Sequence, residues 1–375
     1  MARLTGRGAV VAAVAAAAFA AGWFAGYPVA LTLGGAGGGA VLAAVAVVAR
    51  RPSVTVVREV YPDRVTRGRP AFARIRVRNE GGRGQPGFTA SDRIGAGHRG
   101  VSVRPLAPGG EVVQHYELPT AARGAHQVGP LTLERPDPLG LAVGRVRTGD
   151  TTTLWVYPRR YPMRAPVSGL PHHHHDGATT ETAPRGSLDL REIREYVVGD
   201  EVRHLHWKAS ARTGTLMVRD YADPERPLFT ALLDTRPGPA FEDAVDIAAS
   251  LLAASAAAGH RCRLLTTAGL DVSVDSGPSA VRRLLDELTL LRPDDGGAIV
   301  PRSLGRPEGR GGCLTVVTSA ARADLGAVAA LRPHFSALFV LAVGPLDLPR
   351  VPGVTVLRAA DAETAARRWN SVIAG

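Results

Sequence analysis

The chain has 375 residues, 45 Lys and Arg against 34 Asp and Glu, and a formal net charge of +11. Length beyond a membrane segment leaves room for two soluble domains. The basic excess is Arg dispersed through loops and strands, with no Lys/Arg run interleaved with aromatics, so a nucleic-acid surface is not expected. The two cysteines, Cys262 and Cys313, have no CxxC spacing and make no disulfide framework, and read as buried or half-buried free thiols.

The first apolar run, residues 9–25, follows Arg3 and Arg7; the second, residues 31–49, ends at Arg50-Arg51-Pro52. Each is as long as one bilayer crossing. Tyr27-Pro28 separates them, and Trp23, Phe24 and Tyr27 stand where an interfacial aromatic belt belongs. The spacing predicts a transmembrane hairpin over residues 1–51. A signal peptide is the rival reading, opposed by the second run. Arg on both outer flanks and none in the turn places both ends, and the soluble domains, in the cytoplasm of a multi-pass cell-membrane protein. Gly34-Gly35 and Gly37-Gly38-Gly39 offer close helix packing.

Residues 52–158 read as an all-β domain. Period-two alternation over 53–61 and 71–79, then strands at 101–103, 111–118, 126–133 and 152–157, separated by Pro/Gly turns, predict an immunoglobulin-like sandwich. Pro136-Asp137-Pro138-Leu139-Gly140-Leu141 reads as a turn. Residues 159–187 read as a polar linker carrying His172, His173, His174, His175 and Asp176. Such a run binds Zn²⁺ or Ni²⁺ when geometry is pre-set, which a flexible loop does not supply.

The stretch 188–236 is the richest in side chains that can do more than pack: Glu192, Arg194, Glu195, Tyr196, Asp200, Arg203, His204, His206, Trp207, Lys208, Ser210 and Arg212, with Gly199-Asp200 as a turn signal. Asp200 reads as the N-cap of a helix containing Val202, Leu205 and Ala209 and ending at Gly214. A strand over 215–221 follows. From residue 228 the pattern is strand 228–233, helix 240–258, strand 261–267, short strand 272–274, helix 278–291, strand 313–318, helix 321–331, strands 337–343 and 354–357, and helix 360–373. That alternation predicts a mainly parallel sheet with helices on both faces. Residues 188–375 thus form an α/β domain.

The words REYVVGDEVRHLHWKASARTGTLMVRDY, the strand ending LLDT, and the upstream RPDPLGLAVG and LWVYPRR resemble the bacterial "domain of unknown function 58" family of membrane-associated proteins. The resemblance implies a von Willebrand factor type A-like C-terminal domain. It also implies the lipid bilayer, a MoxR-type AAA+ ATPase and a transglutaminase-like membrane protein as partners. The resulting expectation is a non-enzymatic scaffold or adaptor in assembly or cell-envelope upkeep. Type A domains often hold a divalent cation on Asp-x-Ser-x-Ser. Here the stretch is Asp234-Thr235-Arg236-Pro237-Gly238, so Mg²⁺ binding at Asp234 is disfavoured by Arg236. The alternatives are a hydrolase using His206, Ser210 and Asp200, and a metal-dependent adhesion module at Asp234. Ser210 and His206 lack the Gly-x-Ser-x-Gly elbow of such hydrolases. The motif residues Tyr196, Gly199, Asp200, Arg203, His206, Trp207, Ser210 and Arg212 are expected to lock domains together or dock a partner.

Overall fold

The computed structural model describes residues 2–50, 52–95, 97–166, 190–195, 205–221, 228–295, 297–305, 311–320, 323–346, 348–349 and 351–374; of residues 190–195, 218–221 and 305 it gives the backbone course alone. The chain divides into two compact units, Met1–Tyr157 and Pro158–Gly375.

The first unit begins with strand β1 (Ala2–Leu4), then helices α1 (Gly6–Ala25) and α2 (Pro28–Ala49). Both helices are long and apolar enough to cross a membrane. Their outer surface is apolar, with Val14, Trp23, Phe24, Leu33 and Leu42 exposed. Small residues set the helix–helix approach. A Cβ on Gly34 would lie 2.5 Å from the Phe19 backbone nitrogen, and one on Gly37 would lie 2.9 Å from Ala15 Cβ, whereas Gly35, Gly38 and Gly39 face open space. Two of the five clustered glycines therefore serve packing.

Strands β2 (Val54–Tyr61), β3 (Arg64–Thr66), β4 (Ala71–Asn79), β5 (Phe88–Ile94), β6 (Gly97–Val103), β7 (Glu111–Leu118), β8 (Gly124–Val128), β9 (Leu131–Pro136), β10 (Ala142–Thr148) and β11 (Thr152–Tyr157) complete the unit. One sheet has the order β2-β4-β7; the other runs β1-β10-β9-β5-β8-β11-β3, with β6 on β5. Alternate residues of both sheets, among them Ile75, Val77, Ala90, Leu118, Leu131 and Leu154, form one core. The architecture is a two-sheet sandwich. A charge crosses it. Arg58 of β2 donates to Asp92 of β5 at 3.1 Å, with both side chains buried. The Tyr116 hydroxyl donates to the other Asp92 oxygen, and burial together with that bond pushes the phenol far above its usual value.

Two sequence expectations are corrected here. The run 126–133 is two strands, because Gly129 at φ 100° and Pro130 break the ladder. Strands β5 and β10 stand where none was expected. The ends of the α1–α2 hairpin are built into the sandwich. β1 pairs antiparallel with β10. Thr5 caps α1 through Gly8 N–H at 3.0 Å and donates its hydroxyl to Gly140 O at 2.7 Å. Arg135 donates to the carbonyls of Val47 and Arg50.

The second unit opens with extended residues 158–166. This segment, the described part of the stretch read as a polar linker, is a strap. Arg159 N–H donates to Asp246 (2.8 Å) and Tyr161 N–H to Ser250 (2.9 Å). Arg164 N–H donates to Asn370 (2.8 Å), and Trp369 Nε1 donates to Arg164 O (2.8 Å). The histidine run lies outside the described residues.

A two-stranded ribbon follows, β12 (Leu190–Glu195) antiparallel to β13 (Met217–Tyr221), with α3 (Trp207–Thr213) between them. The α/β core contains β14 (Leu228–Leu233), α4 (Phe241–Ala257), β15 (Arg261–Thr266), β16 (Asp271–Val274), α5 (Pro278–Leu290), β17 (Cys313–Thr318), α6 (Leu325–Ala329), β18 (Ala337–Val343), β19 (Thr355–Ala359) and α7 (Ala362–Ala374). The sheet order is β16-β15-β14-β17-β18-β19, parallel except for the antiparallel edge strand β16. Every residue of β17 is buried, as a central parallel strand requires. α4 packs on β14, β15 and β17, and α5 and α7 pack beside α4. Leu304, Leu325, Val328, Leu331 and Phe335 join the sheet residues Leu232, Val316 and Val340 in a further core cluster. The helix expected over 321–331 is only Leu325–Ala329, because the Asp324 carboxylate caps it by accepting Ala327 N–H at 3.1 Å.

Candidate functional site

The strand order reverses between β14 and β17, and in open α/β sheets ligands gather at the carboxyl ends beside such a reversal. Asp234 follows β14 directly and is fully buried. Its main chain is fixed by Asp234 N–H donating to Val317 O at 2.8 Å. Its carboxylate is saturated from three sides. Arg236 Nε donates to Oδ1 at 2.9 Å and Nη2 to Oδ2 at 2.7 Å, a bidentate fork. Thr318 Oγ1 donates to Oδ2 at 2.7 Å. Arg236 N–H adds a bond to Oδ1 at 3.2 Å. The bonds to Asp234 hold the Arg236 guanidinium above its ordinary value, outweighing the opposite pull of partial burial.

A hydroxyl cluster flanks this pair. Thr235 Oγ1 lies 2.8 Å from Thr267 Oγ1 and donates to Asp294 at 3.0 Å. Ser319 is buried, and its hydroxyl finds no partner among the described residues. A Cβ on Gly238 would come within 2.1 Å of Ser319 O, so glycine alone lets the 237–238 turn press against the end of β17.

These residues do not fit a divalent cation. A hard cation needs the Asp234 oxygens, and a guanidinium already occupies both. The sequence foresaw Arg236 as a repelling charge; it did not foresee that the side chain folds back and takes the cation's place. Among the described residues there is also no group of three or more His, Cys, Asp or Glu placed to hold a metal. Cys262 and Cys313 are free and buried, and burial pushes both thiols up to about 12. Neither is poised as a nucleophile.

Of the motif residues, Tyr196, Gly199, Asp200 and Arg203 lie outside the described residues. His206, Trp207, Ser210 and Arg212 are brought together around α3. The helix that holds Ala209 and ends at Gly214 begins at Trp207, and His206 is its N-cap. The His206 main chain is held by N–H donation to Met217 O at 2.7 Å, which ties the cap to β13. Its Nδ1 accepts Ala209 N–H at 3.0 Å. Leu205 therefore precedes the helix. Ser210 Oγ donates to His206 O at 3.2 Å and accepts Met217 N–H at 2.8 Å. Both His206 and Ser210 thus serve the knuckle that closes the ribbon, and the Ser210 hydroxyl is bonded to the His206 carbonyl, not its ring. Gly214, at φ 74°, ends the helix in the left-handed conformation. Outward from this knuckle stand Trp207, 67% exposed, with Lys208, Arg212 and Leu216.

The second unit thus combines a ribbon with an exposed indole and a six-stranded α/β sheet whose switch-point aspartate is locked by arginine. Residues 192–371 match the family model described as "Protein of unknown function DUF58", and this segment belongs to that family. The uncharacterized protein YeaD of Bacillus subtilis (strain 168) is 27% identical over 218 residues, covering 56% of this chain and 54% of the Bacillus protein. The chain thus spans about half the length of that curated relative. Among solved structures, similarity extends to the CARDB domain of a Pyrococcus furiosus protein crystallised with di-metal ions, at 21% identity and TM-score 0.22, covering 28% of this chain and 88% of that one. It extends also to the C-terminal domain of wzt, at 13% identity and TM-score 0.23, covering 28% and 74% respectively.

Proposed function

We propose that this protein is a membrane-anchored, non-enzymatic scaffold or adaptor whose second unit, facing the cytoplasm, docks a protein partner. The observation that carries the reading is the use of the reactive-looking groups. Asp234 is closed by Arg236 and Thr318, while Ser210 and His206 are consumed by the turn they build. What these positions leave outward is an indole and two cations on a short rigid helix. Exposed aromatics beside Arg are the composition of binding hot spots. The order β16-β15-β14-β17-β18-β19 with an antiparallel β16 supports the von Willebrand factor type A-like assignment, and the two-sheet sandwich supports the immunoglobulin-like one. A MoxR-type AAA+ ATPase is the partner implied by the resemblance, with a transglutaminase-like membrane protein as a further companion.

The test is crosslinking capture from native membranes with wild type and Trp207→Ala/Arg212→Ala. Both side chains are exposed, so the variant is expected to fold. Recovery of an AAA+ ATPase with wild type and its loss with the variant supports docking at α3. Equal recovery with both returns α3 to a structural role. Recovery with neither removes the adaptor reading and favours the hydrolase, for which Ser210→Ala would abolish turnover.

A further inference from the structure

The geometry points to a second membrane contact: the β9–β10 turn, residues 137–141, inserts into the headgroup–acyl boundary of the bilayer beside the hairpin. The inference rests on reading α1 and α2 as membrane-spanning. It starts from an apolar residue with no structural reason to be where it is. Leu139 is 65% exposed at the tip of the turn, next to exposed Pro138, and Leu4 on the neighbouring strand is 43% exposed.

The level of the turn along the hairpin is fixed by its contacts. A Cβ on Gly8 would fall 1.9 Å from Leu141 O, so α1 touches the turn there. Leu141 and Ala142 share a packed cluster with Val41, Ala44 and Val48 of α2, against which Val11 and Ala12 of α1 also pack. Exposed Arg7 and Arg50 mark where each helix leaves the apolar zone. At a rise of 1.5 Å per residue, Arg7 to Ala12 is about 7 Å and Arg50 to Val41 about 13 Å. The turn therefore lies alongside the first turns of α1 and the last turns of α2, inside the level set by the arginines.

An irregular segment enters lipid at lower cost when its polar groups are paired internally, and most of those in this turn are. The Asp137 carboxylate accepts Leu139 N–H at 2.9 Å and Ala142 N–H at 2.7 Å. Asp137 N–H donates to Ala142 O, and Gly140 N–H to Asp137 O, both at 3.0 Å. The Gly140 and Leu141 carbonyls accept from Thr5. What remains outward is Pro138 and Leu139, while exposed Arg3, Arg7 and Arg50 stand at the helix ends, where lipid phosphates would lie.

The test places an environment-sensitive fluorophore on Leu139→Cys in the full chain, reconstituted into vesicles of phosphatidylcholine and phosphatidylglycerol. Cys262 and Cys313 are buried and stay unlabelled. Val14→Cys, on the outer face of α1, reports hairpin insertion, and Val113→Cys on β7 reports the aqueous sandwich; both positions are exposed. Lipids carry a nitroxide either near the top of the acyl chain or near its end. The expected result is blue-shifted emission at 139, quenched several-fold more than at 113, and more by the shallow nitroxide than by the deep one. Emission at 139 equal to that at 113, with position 14 quenched, overturns the inserted turn while the anchor stands. No quenching at position 14 overturns the anchor and the inserted turn together.

Discussion

Arg236→Ser isolates the strand-end lock. The substitution removes two charge-assisted hydrogen bonds from a carboxylate that is fully buried. Bonds to charged groups contribute roughly 1.5–3 kcal/mol each, and leaving one partner of a buried pair behind costs about 3–5 kcal/mol. The Arg236 side chain is 24% exposed, so water recovers part of that, and the Thr318 bond persists. The expected loss is about 2–4 kcal/mol, or a fall in Tm of roughly 8 °C for a unit of this size. The introduced hydroxyl, Asp234, Thr318 and Ser319 together form an oxygen set that a divalent cation can use. Mg²⁺ or Mn²⁺ at ten times its Kd then restores about 1.4 kcal/mol. Arg236→Lys keeps the charge but loses the fork, and its loss is expected to be smaller. The assay is thermal unfolding of the full chain in detergent, with and without cation. Stability unchanged in Arg236→Ser, or a cation-dependent Tm in the wild type, would refute the lock.

Asp137 gives a pH-dependent prediction. Burial pushes its carboxyl up, but the backbone N–H groups of Ala142, Leu139 and Leu141 outweigh that and hold it below the usual carboxylate range. Its folded value is depressed, so its stabilisation is full above the unfolded value near ~3.9 and is lost as pH falls through the folded value; Asp137→Asn should flatten acid denaturation below about pH 4, and an unchanged acid limb counts against the assignment. In the sandwich, Arg58→Met strands buried Asp92 at a cost of about 3–5 kcal/mol, whereas Arg58→Met/Asp92→Leu regains much of it. Urea melts showing single and double variants equally unstable would deny the coupling. Cys262 and Cys313 should resist iodoacetamide at pH 8 until the chain is unfolded, as read by mass spectrometry; rapid labelling of the native protein contradicts their burial.

What the sequence concealed has physical causes. Strand β4 was legible because Ala71, Ala73, Ile75, Val77 and Asn79 alternate inward without interruption. Strand β5 was not, because Asp92 occupies an inward position; the residue that justifies it, Arg58, is 34 positions away. Strand β10 hid behind Gly144, which reads as a breaker. It is required there because a Cβ would come within 2.6 Å of Val48 O. The strap at 158–166 looked like linker because its partners Asp246, Ser250 and Asn370 lie 87, 89 and 206 residues from the groups that bind them. At the candidate site, residue types were readable and roles were not. Asp234 and Arg236 stood out in the sequence as a damaged cation motif, yet a two-residue separation does not reveal a bidentate fork. Asp200 looked like a cap and His206 like a catalytic base. The bond from His206 N–H to Met217 O fixes the helix start six residues later, a contact set by the ribbon and invisible to local propensity.

Two unrelated features bear on the proposed anchor. For a membrane-spanning hairpin, Arg3, Arg7 and Arg50 outside the apolar runs would put both ends on one side by charge alone. The fold demands the same without reference to charge. β1 enters the hairpin from a pairing with Ala142–Gly144, and the exit of α2 is held by Arg135 of β9 at the carbonyls of Val47 and Arg50. β9 and β10 are adjacent strands joined by the 137–141 turn, so entry and exit are clamped to one end of one sheet. A span inverted or lost would pull β1 off the sheet edge and unseat Leu141 and Ala142 from the α2 cluster. The sandwich is therefore not a module hung on a flexible tether: its edge is completed by β1 and its end is packed on α2, so on the proposed reading of α1 and α2 as membrane spans, insertion and folding of the first unit are coupled.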